Sequence, residues 1–266
     1  MNKDFQYYVD ELKKVEVISQ DNYIKILNIF NTFDTGWWLT PITIRLFFDH
    51  FDSRVLNKMN NIEDISKIIE DTYIKVFEEG FGEWIYSISR LGVLTKKSEE
   101  RKVFAESVWA FWHKKYYLSI GVTIPLIESL LQNFLINIGY KNRINVRAIG
   151  QTVNVLAKNE LNSMVNRKGL CSELLERKLK EVTHINLKLF FKNMVDTVWH
   201  DFDPPLMLNT KDLNRHAIAH GRYGYGIQIN AIKAFLSFEM ACWSIIFLSS
   251  YPDHIIINLL IYIMTL

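Results

Sequence analysis

The chain has 266 residues, 49% hydrophobic and 23% charged, a composition that excludes a disordered protein and supplies enough apolar residues for a large core. Lys and Arg number 31 against 29 Asp and Glu, so a surface built throughout to coat nucleic acid is also excluded. Two cysteines, Cys171 and Cys242, are too few for a disulfide framework and too far apart for a CxxC pair, and no secretory signal follows Met1, so we expect a cytoplasmic protein.

Apolar residues recur at spacings of three and four along most of the chain, and the 11 glycines and five prolines are few. This pattern predicts an all-α protein, a helical bundle. In chain order, the predicted helices span residues 4–18, 20–33, 41–58, 62–80, 98–120, 123–138 and 172–182, with breaks at Gly36 and Gly80. We expect the sixth to carry Pro125 in its first turn, where the missing N–H is harmless.

Two apolar segments end the chain, residues 231–250 and 255–266. A membrane-spanning helix needs about 20 apolar residues. The first segment contains Glu239, and the second is too short and contains Asn258. They therefore favour core helices, or a helix donated to a partner chain, over a membrane hairpin, although a membrane-associated effector remains an alternative.

Charge is unevenly distributed. Residues 61–80 carry six acidic residues against two lysines, whereas residues 141–180 carry nine Lys or Arg against three Glu. Both runs are typical of solvated helical faces. A change of composition near residue 95 favours a helical N-terminal region of unknown role, residues 1–95, followed by a second helical domain, residues 96–266.

Residues 209–225, NTKDLNRHAIAHGRYGY, combine several chemically active side chains. The spacing predicts a short helix that ends at Gly221. His216 and His220 are four residues apart and share one face of it, and Arg215 lies about 140° around the axis from His220.

Three chemistries can use this segment. The first is zinc binding, since HxxxH is a ligand spacing, but Ala217 stands where the protease motif HExxH has its glutamate. The second is cleavage of RNA without a metal. In it a histidine removes the proton of a 2′-hydroxyl, and an arginine stabilises the charge on the phosphoryl oxygens. The third is purely structural.

The string Arg215-His216-Ala217-Ile218-Ala219-His220 resembles the R-x(4–6)-H motif of the HEPN superfamily. More specifically, LNRHAIAHGRYGYG followed by NAIKAF is similar to the C-terminal signature of bacterial HEPN-like proteins encoded near phage-defence or abortive-infection systems. Upstream, YLSI at 117–120 and IES at 127–129 are similar to the long helix of that group. The departures are Ser129 for the usual glycine and Ala231 for the usual serine. The resemblance covers roughly residues 100–250.

The resemblance implies a four- or five-helix antiparallel bundle that forms a homodimer with a composite ribonuclease site and needs no cofactor or metal. It makes Arg215 the charge-stabilising group and His220 the catalytic histidine. It places His216 at a polar position that orients the substrate, and Glu128 at an acidic position that contacts the motif, with a solvated Glu128 as the alternative. Further candidates for binding or orienting the substrate are Asn214, Arg222, Tyr223 and Tyr225.

Basic and aromatic neighbours, such as Tyr140 beside Lys141 and Arg143, are candidates for RNA contacts. The partners expected are RNA, a second copy of the chain and an antitoxin or a defence complex, with no membrane. A non-catalytic homodimeric HEPN-like scaffold of a defence system is the alternative, because many superfamily members lack activity.

Overall fold

The computed structural model describes residues 37–40, 42–51, 62–94, 98–140, 146, 148–153, 155–156, 159 and 225–265. Within these ranges the secondary structure is α-helical and contains no strand, which confirms the predicted all-α class. The helices are α1 (Thr43–His50), α2 (Ile62–Glu79), α3 (Phe81–Arg90), α4 (Glu99–Trp112), α5 (Tyr116–Asn137), α6 (Gln228–Leu248) and α7 (Asp253–Thr265). Residues 146, 148–153, 155–156 and 159 are also helical.

Helix α2 shows how the apolar spacing produces the core. Ile65, Ile69, Tyr73, Val76 and Phe77 repeat at intervals of one, three and four residues, and all five are buried. Acidic residues occupy the first turn, where the helix dipole favours negative charge. The helix ends at Glu79, before Gly80, which agrees with the prediction of a helix over residues 62–80.

The centre of the bundle is an aromatic cluster. Phe77, Phe81, Trp84, Phe111 and Phe235 come from four different helices, and the Phe235 ring centroid lies 5.3–6.2 Å from those of the other four. Such spacings suit offset and edge-to-face ring pairs. These rings join α2 and α3 to α4 and α6.

Helix α6 is the central helix of the described part of the chain, packing against α5 and α2. Both α5 and α6 are long and apolar enough to cross a membrane, by length and composition alone. In α6, 89% of the most apolar window is buried inside the protein, against 56% in α5. Helix α6 is therefore a core helix, as the sequence predicts for residues 231–250.

The boundary between α4 and α5 differs from the sequence prediction. The expected helix over residues 98–120 does begin after Ser98, whose side chain accepts a hydrogen bond from the backbone N–H of Arg101. However, α4 ends at Trp112, and α5 starts only four residues later at Tyr116. Helix α5 then continues through Gly121 and Pro125, so the prediction of Pro125 in a first turn is wrong. Its ring is exposed, and the missing N–H leaves the carbonyl of Gly121 without its usual helical donor.

A Schellman motif ends α4. The N–H of Lys115 donates to the carbonyl of Ala110 over 2.8 Å, and the N–H of Lys114 donates to that of Phe111 over 2.9 Å. Lys114 adopts the left-handed conformation that this motif requires, with φ 58°. Because glycine is the usual residue at this position, the sequence carries no stop signal here.

The same motif ends α5, but there the left-handed residue is Gly139, with φ 84°. The N–H of Tyr140 donates to the carbonyl of Leu135, and that of Gly139 to the carbonyl of Ile136, both over 2.9 Å. The two helix ends are thus matched in geometry and differ in their left-handed residue.

The predicted boundary near residue 95 does not interrupt the core. Trp37, Phe47 and Trp84 precede it and belong to the same buried cluster as Phe235 and Ile256, which follow it. The division into residues 1–95 and 96–266 stays a prediction.

Helix α7 is only partly a core helix. It buries Ile256 and Leu260, one turn apart, against the rest of the protein. Ile261 and Tyr262 are exposed on its other side. The prediction of a core helix for residues 255–266 therefore holds for one face.

Candidate functional site

Only part of the predicted site falls within the described residues. Glu128 lies on α5 and Tyr225 lies three residues before α6. The other candidates lie outside the described residues: Asn214, Arg215, His216, His220, Arg222 and Tyr223. Their roles stay predictions. The structure describes the chain again from Tyr225, directly after this segment.

Tyr225 contacts the start of α5. Its ring meets that of Tyr117 edge-to-face, with the centroids 4.9 Å apart and the planes at 76°. Partial burial raises the pKa of the Tyr225 phenol above its ordinary value, and the neighbouring phenol of Tyr117 raises it further. The Tyr225 hydroxyl therefore stays protonated at neutral pH.

The backbone around Tyr225 is held in place from two sides. The side-chain amide of Asn230 and the N–H of Ile227 donate to the carbonyl of Tyr225, over 3.0 Å and 2.9 Å. The next residue, Gly226, packs so closely against the ring of Tyr117 that a β-carbon there would overlap it. These contacts fix the path by which the chain enters α6.

Several helix ends meet near Tyr225. The Gln228 side chain at the start of α6 donates to the Glu78 carboxylate near the end of α2, over 3.5 Å. Tyr116, the first residue of α5, packs edge-on against Phe111 of α4. Partial burial, and then the negative charge of Glu78, raise the pKa of the Tyr116 phenol. Polar side chains from α2, α5 and α6 thus gather at one end of the bundle.

The turn between α4 and α5, residues 109–117, lies at the same end and combines exposed rings with cations. Trp112 is 67% exposed and stacks against buried Phe81, with centroids 6.2 Å apart and planes at 17°. The Lys115 ammonium lies 4.5 Å from the ring centroid of Trp109, which is 48% exposed. The turn was not among the predicted site residues, although its sequence, WAFWHKKYY, carries a signal: two lysines flanked on both sides by aromatic residues.

Glu128 does not lie beside the contact between Tyr117 and Tyr225. It lies half-buried on α5, eleven residues after Tyr117, which corresponds to about 16 Å along a helix. The described part of the chain therefore separates the two candidates by three helical turns, and a role for Glu128 in contacting the motif stays a prediction.

Tyr140, a candidate for RNA contacts beside Lys141 and Arg143, belongs to the core. It is 4% exposed, and its hydroxyl donates to the sulfur of Met264 over 2.8 Å. The prediction of a stacking role for Tyr140 is wrong, because the ring is enclosed between the end of α5 and α7.

Glu239 is a buried carboxylate that sequence reasoning did not assign to any site. Its Oε1 accepts a hydrogen bond from the backbone N–H of Ile42 just before α1, and its Oε2 accepts one from the indole N–H of Trp84 on α3, both at 2.7 Å. Burial raises the pKa of this carboxyl from 4.5 to about 7, although the hydrogen bonds oppose the shift. The available signal was an acidic residue inside an apolar run.

Glu239 has no solvent exposure, so it ties helices together rather than meeting a ligand. It joins α6 to α3 and to the start of α1, because the first backbone N–H groups of a helix have no partner within the helix and favour a nearby carboxylate. Cys242, one turn further along α6, is also buried. Its thiol pKa is raised by burial and then by the charge of Glu239, so it is not a reactive thiolate.

No group of three His, Cys, Asp or Glu side chains is placed to hold a metal ion in the described ranges. The HxxxH pair of His216 and His220 lies outside those ranges, so zinc binding there is untested. No protein-family model, curated protein or solved structure matches the chain.

Proposed function

We propose that the protein is a metal-independent endoribonuclease of the HEPN type, acting in the cytoplasm in phage defence, a toxin–antitoxin system or a stress response. The observation that carries the proposal is the string of residues 214–225, in which Arg215 and His220 have the spacing of the R-x(4–6)-H motif. Its support is therefore the sequence pattern itself.

A contact between two distant parts of the chain adds support. The resemblance rests on two separate stretches, one around Tyr117 and one that runs through Tyr225 to Asn230. In the folded chain Tyr117 contacts both Tyr225 and Gly226, and Asn230 bonds to the Tyr225 carbonyl. Contact between the two stretches is what we expect if they serve one site.

The proposed reaction uses the ribose itself as the nucleophile. The neutral imidazole of His220 removes the proton of a 2′-hydroxyl, and the oxygen attacks the adjacent phosphorus. The bond from phosphorus to the 5′-oxygen breaks, and that oxygen takes up a proton as it leaves. The products are a 2′,3′-cyclic phosphate and a 5′-hydroxyl.

Arg215 stabilises the charge that builds on the phosphoryl oxygens, because its planar guanidinium donates two hydrogen bonds and stays charged at all relevant pH values. Asn214, His216, Arg222, Tyr223 and Tyr225 would bind or orient the RNA. We further propose that a second copy of the chain completes the site by placing two motif segments side by side, and that an antitoxin or a defence-complex partner controls the activity.

The test compares cleavage by the wild type with cleavage by His220→Ala and Arg215→Ala. Purified proteins are incubated with tRNA and total RNA in EDTA, and the new 3′ ends are analysed for cyclic phosphate. His254→Ala on α7 and Arg90→Ala at the end of α3 are matched controls that should cleave like the wild type. We expect both motif variants to lose cleavage.

Equal cleavage by all proteins would mean a contaminating nuclease, and no cleavage by any would remove the enzyme proposal. A homodimer that persists in sedimentation analysis without any cleavage would instead support the non-catalytic HEPN-like scaffold. Recovery of the protein in carbonate-washed membranes would support a membrane-associated effector.

A further inference from the structure

We propose that the α4–α5 turn, residues 109–117, binds single-stranded RNA, with one base stacked on Trp112 and the backbone phosphates beside Lys114 and Lys115. The choice of RNA as the ligand rests on the proposed function. The turn itself lies outside the R-x(4–6)-H motif.

Trp112 is the stacking surface. It is the last residue of α4, and two thirds of it is exposed, which is unusual for the largest apolar side chain. The buried ring of Phe81 backs it in a nearly parallel, offset arrangement. A rigid, supported indole in water is the platform that single-stranded nucleic-acid binders offer to unpaired bases.

Lys114 holds a position that is costly for a lysine. Its left-handed conformation strains any residue with a β-carbon, and at the matched end of α5 the chain places Gly139. Backbone strain that the sequence keeps is often associated with function. Glycine would make the protein more stable at this position. A contact between the lysine charge and an RNA phosphate would explain why the chain has a lysine there instead.

Trp109 contacts two other side chains of the turn. The Lys115 ammonium lies over its ring, and the ring of His113 packs against it with centroids 4.4 Å apart. The Nδ1 of His113 lies 2.8 Å from the Trp109 carbonyl, to which it donates, so Nε2 is not engaged in that bond. From Trp109 to Tyr117 the sequence contains no acidic residue.

The turn continues directly into the contact that surrounds Tyr225. Lys115 is followed by Tyr116 and Tyr117, and Tyr117 packs against Tyr225 and Gly226. Only two residues of sequence separate Arg222 from Tyr225. An RNA strand that lies across the turn would therefore reach the part of the chain that leads back to the motif.

The test measures binding rather than cleavage, in the His220→Ala background so that the RNA stays intact. The probe is a fluorescein-labelled 12-nucleotide oligouridylate, followed by anisotropy and by quenching of tryptophan fluorescence. We expect Trp112→Ala to weaken binding about tenfold, with quenching reduced and the salt dependence unchanged. Lys114→Gly and Lys115→Gln should each lower the slope of log K against log salt by about 0.7.

Two matched controls separate the turn from the rest of the surface. Tyr86→Ala removes another exposed aromatic ring, on α3, and Lys102→Gln removes another exposed cation, on α4. Both should bind like the parent protein. Because Lys114→Gly relieves strain, its loss of affinity should accompany a higher melting temperature, which excludes misfolding as the cause.

The proposal is overturned if the three turn variants bind as the controls do, if the parent does not bind, or if a hairpin duplex of equal length binds as tightly as the single strand. Binding to anionic phospholipid vesicles that needs Trp112, without RNA binding, would assign the turn to a membrane instead. Turn-dependent RNA binding without cleavage by the wild type would support this inference and refute the nuclease. Cleavage by the wild type, with RNA binding that the turn variants leave unchanged, would support the nuclease and overturn the role of the turn.

Discussion

The ring of Tyr117 fills the space into which a β-carbon on Gly226 would project. This contact joins the start of α5 to the entry of α6, across more than a hundred residues of sequence. The backbone at 226 and the ring at 117 are therefore complementary in shape, and the residue between Tyr225 and Ile227 must be glycine for the two to meet.

Gly226→Ala should destabilise the protein by about 1–3 kcal/mol, because the added methyl group overlaps a ring that Tyr225 also packs against. Chemical denaturation followed by circular dichroism measures the change. Under the proposed function, cleavage should fall as well, because the chain enters α6 along a shifted path.

Gly82→Ala is the matched control for this overlap. Gly82 lies in α3 with no atom within 4 Å of its potential β-carbon, so alanine there should be neutral or stabilise by up to about 1 kcal/mol. Adding Tyr117→Ala to Gly226→Ala should recover part of the loss. Strictly additive effects of the two substitutions would contradict the contact.

Lys114→Gly should stabilise the protein by about 1 kcal/mol, because glycine adopts the left-handed conformation without the strain of a β-carbon. The reciprocal change, Gly139→Ala at the end of α5, should cost a similar amount. Thermal and urea denaturation of both variants give the comparison. If Lys114→Gly were less stable than the wild type, the lysine side chain would contribute more to stability than the left-handed conformation costs.

How far the sequence predicts the helices depends on whether their ends carry a local signal. Ser98 and Gly80 are such signals, and α4 and α3 begin beside them. Lys114 carries no signal that α4 ends there. Pro125 carries a misleading signal, because α5 continues through it and is held by long-range packing against α6. Tertiary contacts outweigh the local cost of an internal proline, and no window of sequence reveals that.

The candidate site was predictable only where chemistry follows from residue spacing. Arg215 and His220 are predicted from their motif, and Tyr225 from its neighbours in the string, and the roles of all three stay predictions. The importance of Tyr117 for Gly226, and of Ile42 and Trp84 for Glu239, depends on contacts between residues far apart in the chain. Neither periodicity nor composition reports such contacts.

Glu239 should make the protein less stable as the pH rises. Burial raises its pKa from 4.5 to about 7, so between these values the folded state binds a proton that the unfolded state has released. The stabilisation from the neutral carboxyl is complete below about pH 4.5 and is lost as the pH rises towards 7. The shift in pKa corresponds to a loss of on the order of 3 kcal/mol in the free energy of unfolding. Urea denaturation at pH 5, 6, 7 and 8 measures this loss.

Glu239→Gln separates this titration from the other groups. The amide keeps one acceptor for the hydrogen bonds from Ile42 and Trp84 but loses the other, so we expect about 1 kcal/mol lower stability at pH 5. Between pH 5 and 7 its stability should depend much less on pH than that of the wild type. An unchanged slope would show that the carboxyl does not titrate in this range.

If His220 is the general base, the cleavage rate should fall on acidification, because a protonated imidazole no longer accepts the proton of the 2′-hydroxyl. Glu239 acts on stability in the opposite direction over pH 5 to 7, since its protonation favours the folded state. A loss of rate towards pH 5 is therefore not explained by unfolding through Glu239. Initial rates on end-labelled RNA, taken beside Glu239→Gln, make the comparison, and a rate that stays constant from pH 5 to 7 would count against His220 as the base.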